Sequence, residues 1–367
     1  MKRRFLIAVT LCSGLGALLG GCASYGPIAL DRDRLDYGEA VSDTLKRETM
    51  LNIVRIRYGD IPAFVQIDQL VSSYQLQGSG TFSLIPNPIT GLNFSSWTGG
   101  ATYTDRPTMT FTPVTGTVFE SAFVRPFAPR EVIILAQNGM WIDVLFRLAV
   151  QSIGNLSNAG RIETSRTSQS TLPVGSPEFF QLLADLRVLQ EGGALSFRFT
   201  PSKDDKDGPH VFLTILSTRG EALTAAAARA RSLLGIGPGE AEVVYGRVAR
   251  GPHQIAMLTR SFIGILTSVS AFVEVPDEDV AAHRVLPSPG DAINGERPVV
   301  SVRTSSSRPQ SPYAIAVVQY RGRWFWIDDN DFESKDAFRT MLTLMKLAEG
   351  GANPAKAPVL TIPASAQ

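Results

Sequence analysis

The chain has 367 residues, a formal charge of +1, 44% hydrophobic residues and 19% charged ones. That near-neutral balance provides no global field for nucleic-acid phosphates or anionic lipid, so a nucleic-acid partner is excluded. The apolar content supports a buried core, in one large domain or two lobes.

Met1-Lys2-Arg3-Arg4 opens the chain, followed by an apolar run from Phe5 to Leu19 and then Gly20-Gly21-Cys22. A basic start, a short apolar core and small residues before a cut form the pattern of an export signal. The run is 15 residues, short of the roughly 20 that a helix needs to cross a bilayer. Residues 1–21 are therefore expected to be a signal peptide.

Leu19-Gly20-Gly21-Cys22 resembles the lipobox of bacterial lipoproteins. The resemblance implies that the chain is cut before Cys22 and that diacylglycerol is attached to the Cys22 thiol. Each buried acyl CH₂ contributes about 0.8 kcal/mol, and two chains give stable anchoring. A membrane, held through the lipid on Cys22, is thus the first expected partner. Ala23 and Ser24 stand where an aspartate would resemble an inner-membrane retention signal. By that resemblance the protein is placed on the outer membrane, facing the periplasm.

Removal of residues 1–21 leaves 346 residues and a charge of −2. Cys12 departs with the signal and Cys22 carries lipid, so the mature domain has no free thiol. Thiol catalysis and cysteine metal ligation are excluded on that reading.

In chain order, residues 22–35 read as a short lipidated tether. Asp36-Tyr37-Gly38-Glu39 has the form of a capping box, opening a helix through Val41, Leu45, Met50, Leu51, Val54 and Tyr58. From Ala63 to Pro113 the pattern turns β-like, and Gln77–Thr104, rich in Gly, Ser, Thr and Asn, reads as a hairpin or exposed loop. Helical signals follow at Val118–Phe123 and Pro129–Gln137, and Trp141–Ile153 is strand-like. These residues make an N-terminal lobe, 36–154, and residues 155–175 a linker.

The C-terminal lobe, 176–350, opens with a well-marked helix. Ser176 is its expected cap, Pro177 and Glu178 suit its first turn, and Phe179, Leu182, Leu183, Leu186 and Leu189 form its stripe. Leu195–Phe199 alternates and should pair with Val211–Leu216 across the charged loop Lys203–Pro209. A helix over Glu221–Leu234, a strand over Glu242–Val248 and an apolar helical region over Ile255–Val269 come next. Val299–Val302 and Tyr313–Tyr320 read as strands, and Arg321-Gly322 sits where a two-residue hairpin turn belongs before Arg323–Ile327. A last helix carries Phe338, Met341, Leu342 and Met345. Residues 351–367 form a tail, with a possible edge strand at Val359–Ile362. The fold class is α+β, with short, mostly antiparallel strands packed with amphipathic helices.

Hydrolase motifs are missing: there is no G-x-S-x-G elbow, S-x-x-K pair or H-E-x-x-H helix. His210, His253 and His283 sit near turns or loops and read as solvated side chains. Asp204-Asp205-Lys206-Asp207-Gly208 lacks the register of a calcium loop. Arg47, Arg55 and Arg57 accompany the first helix; intramolecular ion pairs are their default role, a lipid headgroup or partner the alternative. No cofactor and no metal is implied.

The strongest candidate surface is the aromatic strand and the acids after it. Trp324 and Trp326 point to one face, Phe325 and Ile327 to the other. Two covered faces would make all four core residues, the default reading. An open face would let two indoles beside Asp328, Asp329 and Asp331 grip a sugar or a partner strand. The same acids would otherwise hold a hard cation or cap the next helix, capping being the simpler reading.

Asn52–Asp60 and Tyr320–Asp329 also resemble stretches of uncharacterised bacterial lipoproteins, a likeness that implies no activity. The expected function is a non-enzymatic, lipid-anchored envelope component that binds a protein or glycan partner. A periplasmic hydrolase of glycan or ester substrates is the alternative.

Overall fold

The structure is a computed structural model, and it describes residues 25–86, 93–158, 175–201, 210–216, 219–288 and 297–352. Cys22, the signal segment, the acidic loop at 204–208 and the expected edge strand at 359–362 lie outside them.

Helix α1 spans Tyr25–Arg57. The expected start at Asp36 therefore falls inside a helix, which also includes residues 25–35 of the expected tether. The apolar residues that dock it lie at its C-terminal end, where Met50, Ile53, Val54 and the following Tyr58 are buried. Over the preceding turns Leu35 and Val41 are exposed.

After Gly59 comes a long antiparallel ribbon, β1 (Val65–Pro86) and β2 (Asn93–Pro113). The described parts of the stretch expected as a hairpin or exposed loop, 77–86 and 93–104, thus take the hairpin form, in regular strand. Among the described residues, neither strand packs along any element but the other. Its root is fixed to the body. Glu48 Oε1 accepts the Val65 amide at 2.9 Å, and the Val114 amide donates to the Phe64 carbonyl at 3.0 Å.

Helix α2 (Gly116–Phe119) continues into a π-helical turn, Glu120–Val124. Helices α3 (Pro129–Gln137) and α4 (Ile142–Ala149) and strands β3 (Val150–Ile153) and β4 (Leu156–Ser157) follow. The strand expected over Trp141–Ile153 is therefore helix first. Ile142, Leu145, Phe146 and Ala149 are buried at helical spacing, with Asp143 in the first turn and Arg147 in the last. A short apolar run does not separate the two periods by itself; here docking of the stripe does.

Helix α5 (Pro177–Glu191), strands β5 (Leu195–Thr200) and β6 (His210–Ile215), helix α6 (Glu221–Leu234) and strand β7 (Glu240–Tyr245) match the expected order. Residues 246–248, expected to continue that last strand, lie beyond it. The region 255–269 divides into strand β8 (Gln254–Thr259) and helix α7 (Phe262–Ser270), not one helix. Ser261 marks the break, its hydroxyl accepting the Gly264 amide at 3.2 Å.

Helix α8 (Asp277–Ala281), strands β9 (Arg303–Ser305), β10 (Ile315–Tyr320) and β11 (Arg323–Ile327), and helix α9 (Phe332–Ala352) complete the chain. The strand expected at 299–302 is reduced to one bridge, Val302 with Val273, and the regular strand follows it. The β10–β11 turn is where the sequence put it, with Arg321 and Gly322 both at positive φ, 48° and 79°.

The larger sheet has the order β4-β3-β8-β7-β6-β5, antiparallel except for the parallel pair β7–β8; the smaller has the order β10-β11-β9. The architecture is α+β. The expected lobe boundary does not survive, because β3 pairs with β8 across the linker. Ser157 and Ser176, at the two ends of residues 158–175, also bond directly, Ser176 N to Ser157 O at 2.8 Å. Both ends of that segment therefore belong to one packed unit. The Ser176 hydroxyl consequently accepts from Ser157 N at 3.2 Å instead of capping α5.

Candidate binding cleft

Strand β11 is buried on one face only. Phe325 and Ile327 are fully buried, and the Tyr58 ring meets Phe325 edge-on at 6.3 Å. Trp324 and Trp326 are half-buried, so the default core reading fails for the two indoles. Small sheets covered by helices on one side keep the alternate residues at the surface.

Trp324 lines a cleft of about 750 Å³. One wall is α1, where Asp43, Lys46 and Arg47 share a face at helical spacing. The other is the β9–β10 loop, carrying Arg308, Pro309, Pro312 and Tyr313. The Arg308 guanidinium stands 5.7 Å from the centre of the Trp324 ring, and Tyr313 is 74% exposed. Lys46 is paired with Asp43 at 2.9 Å. Among the described residues Arg47 and Arg308 have no carboxylate partner. The cleft thus offers an indole, a phenol and two uncommitted guanidiniums.

The acids after β11 do not join it. Asp331 caps α9, its Oδ1 accepting the Ser334 amide at 3.0 Å and its Oδ2 the Ser334 hydroxyl at 2.7 Å. Asp329 accepts Lys335 Nζ at 3.1 Å. Asp328 accepts Trp326 Nε1 at 2.7 Å and lies 3.6 Å from Arg303 Nε. Trp326 is thereby occupied outside the cleft. Each carboxylate already has a partner, and no group of three potential metal ligands occurs among the described residues.

No family model, no curated protein and no solved structure matches this chain.

A second cleft, about 790 Å³, was not legible in the sequence. The loop 246–253, which returns from the end of β7 to the start of the parallel β8, contributes Gly246, Val248 and Arg250 to its lining. His210 Nδ1 lies 2.5 Å from Glu242 Oε1, and Gln254 Nε2 donates to Glu242 Oε2 at 2.8 Å. Partial burial raises the Glu242 pKa, but the bonds from Gln254 and His210 outweigh it, and the carboxyl sits below its ordinary range. Arg125, Arg130 and Arg250 are nearby. Among the described residues the lining holds neither a hydroxyl on serine or threonine nor a second carboxylate, the groups a hydrolytic site would add to this dyad.

Among the described residues, Arg47, Arg55 and Arg57 do not form the expected ion pairs. Arg55 donates to Asn52 Oδ1 at 3.3 Å and Arg57 to the Leu286 carbonyl at 2.7 Å. Burial lowers the Arg57 pKa to about 10. No helix among the described residues is long and apolar enough to cross a membrane.

Proposed function

We propose that the protein is a lipid-anchored component of the bacterial envelope, held to the outer membrane through Cys22, whose Trp324 cleft binds an acidic glycan without transforming it. The observation that carries this reading is Arg308 standing over Trp324 in a cleft that Arg47 also lines, neither guanidinium having a carboxylate partner among the described residues. An indole face takes the apolar face of a sugar ring, and a guanidinium takes a carboxylate in a bidentate fork. A uronic-acid unit has both features; a neutral sugar has only the first.

Calorimetry with the full chain would compare an oligogalacturonate with a neutral glucan of equal length. Preferential binding of the acidic ligand is expected. Arg308→Ala should weaken it roughly tenfold or more, since a hydrogen bond to a charged group contributes about 1.5–3 kcal/mol and about 1.4 kcal/mol is a factor of ten. Equal affinity for both ligands, or none for either, would remove the proposal. Mass spectrometry of the native amino-terminal peptide tests the anchor separately: a diacylglyceryl adduct on Cys22 is expected, and an unmodified terminus would refute it.

A further inference from the structure

The most unusual element of the fold is the β1–β2 ribbon. Its strands are 22 and 21 residues long, against about 5–6 for an average strand. At about 3.3 Å per residue it extends about 70 Å. A two-stranded ribbon leaves a row of unpaired N–H and C=O groups along both outer edges, and such a hairpin alone is marginal in water. Among the described residues nothing in the body packs along it.

Its composition is as unusual as its length. Residues 69–104 contain no Asp, Glu, Lys, Arg or His, in a chain that is 19% charged. Charge returns only toward the root, at Asp68, Asp105 and Arg106. The register divides the uncharged portion into two contrasting faces. One carries Gln75, Gln77, Ser79, Thr81 and Ser83 with partners Thr104, Thr102, Gly100, Thr98 and Ser96, and ends toward the turn on the apolar pair Ile85 and Phe94. The other carries Tyr74, Leu76, Phe82 and Leu84, with Tyr103 opposite Leu76 and Trp97 opposite Phe82, and small residues between. Aromatic residues therefore stand at both ends of the apolar face.

We infer that this hairpin is a membrane-spanning unit, which closes edge to edge with the hairpins of other copies of the chain into a transmembrane β-barrel. Twelve consecutive pairs, Gln75–Thr104 to Pro86–Asn93, are free of charge. They measure about 40 Å, or about 30 Å along the bilayer normal at a strand tilt of about 40°, which is the hydrocarbon thickness. In a bilayer every edge group must be paired, which only closure achieves. The apolar face with its two aromatic levels meets lipid, and the Gln/Ser/Thr face lines water. With two strands from each chain, the smallest barrel of about eight strands needs about four copies. The Glu48 and Val114 contacts at the root hold the ribbon to the body that remains in water.

The test uses the full chain reconstituted in phosphatidylethanolamine–phosphatidylglycerol vesicles and probed with a charged maleimide. The parent chain is the blank for its own cysteines. Thr81→Cys and Ser83→Cys are expected to label and Phe82→Cys to stay protected until detergent is added. Thr98→Cys and Trp97→Cys repeat the contrast on the partner strand should one variant not fold. Native mass of the unmodified chain in mild detergent is expected to give a multimer of at least four copies. A monomer, or labelling without alternation, overturns the inference. Loss of the acyl group on Cys22 with alternation and multimer intact would refute the lipid anchor and leave this inference standing.

Discussion

Asn52 and Ala63 are joined at two points. The Asn52 side-chain amide donates to the Ala63 carbonyl at 2.7 Å, and its Oδ1 accepts the Ala63 amide at 3.0 Å. Asn52 is fully buried, so the pair acts as one rung of sheet supplied by a helix, immediately before the ribbon begins. Asn52→Ala would orphan both backbone groups. A loss of about 1–3 kcal/mol is expected from urea unfolding, at about 0.5–1.5 kcal/mol for each of the two hydrogen bonds. Asn52→Asp should not restore it, since a carboxylate cannot donate to Ala63.

Beneath the same root, the Phe64 and Phe123 rings stack at 4.1 Å, and Phe262 lies 5.7 Å from Phe123. Phe123 is 1% exposed. Phe123→Ala is expected to cost about 3–5 kcal/mol in the same measurement, transfer and cavity together. Ile61→Ala, at a residue 86% exposed, should change stability by no more than about 0.5 kcal/mol.

Tyr58 ties the end of α1 to α8, its hydroxyl donating to Asp279 Oδ2 at 2.9 Å, while Arg284 binds Oδ1 at 3.0 Å. Burial, then the bond to Asp279, pushes the Tyr58 pKa well above its ordinary value. Desolvation raises that of Asp279, but the bonds from Arg284 and Tyr58 outweigh it and hold the carboxyl below its ordinary range. Tyr58 therefore contributes stability that is whole below about pH 10 and is lost as pH rises further. Asp279 contributes stability that is present above about pH 4 and is lost as pH falls through its lowered value. The urea midpoint plotted against pH should decline at both ends. In Tyr58→Phe the alkaline decline should shrink; an unchanged alkaline limb would contradict the assignment.

The Asp331 cap gives a prediction that separates capping from cation binding. Asp331→Ala should cost roughly 0.5–2 kcal/mol and Asp331→Ser much less. The thermal midpoint of the parent chain should be the same in calcium and in chelator, because the three acids are already engaged by Ser334, Lys335, Trp326 and Arg303. A midpoint that rises with calcium would restore the cation reading at Asp328, Asp329 and Asp331.

Amino-acid order by itself determined the elements whose signals are local. The stripe and proline of α5, the β5–β6 pairing, the Arg321–Gly322 turn and the Asp331 cap each depend on residues a few positions apart, where one periodicity or one side-chain bond decides. Segments 142–153 and 254–270 resisted because short apolar runs suit helix and strand alike until their neighbours are in place. Ser261 was the available signal for the second of these.

Tertiary structure alone decided what depends on distant partners. Pairing of β3 with β8 merged two expected lobes into one, and one-sided cover of β11 left Trp324 at the surface. Arg308 reached that indole from the β9–β10 loop, Arg47 came to the same cleft from a helix remote in sequence, and His210 met Glu242 only through strand register. Uncharged residues along 69–104 were visible from the start, but register was needed to sort them into a polar face and an apolar one. Local patterns fix local geometry; which side chains converge is set by long-range packing, and no window of sequence contains it.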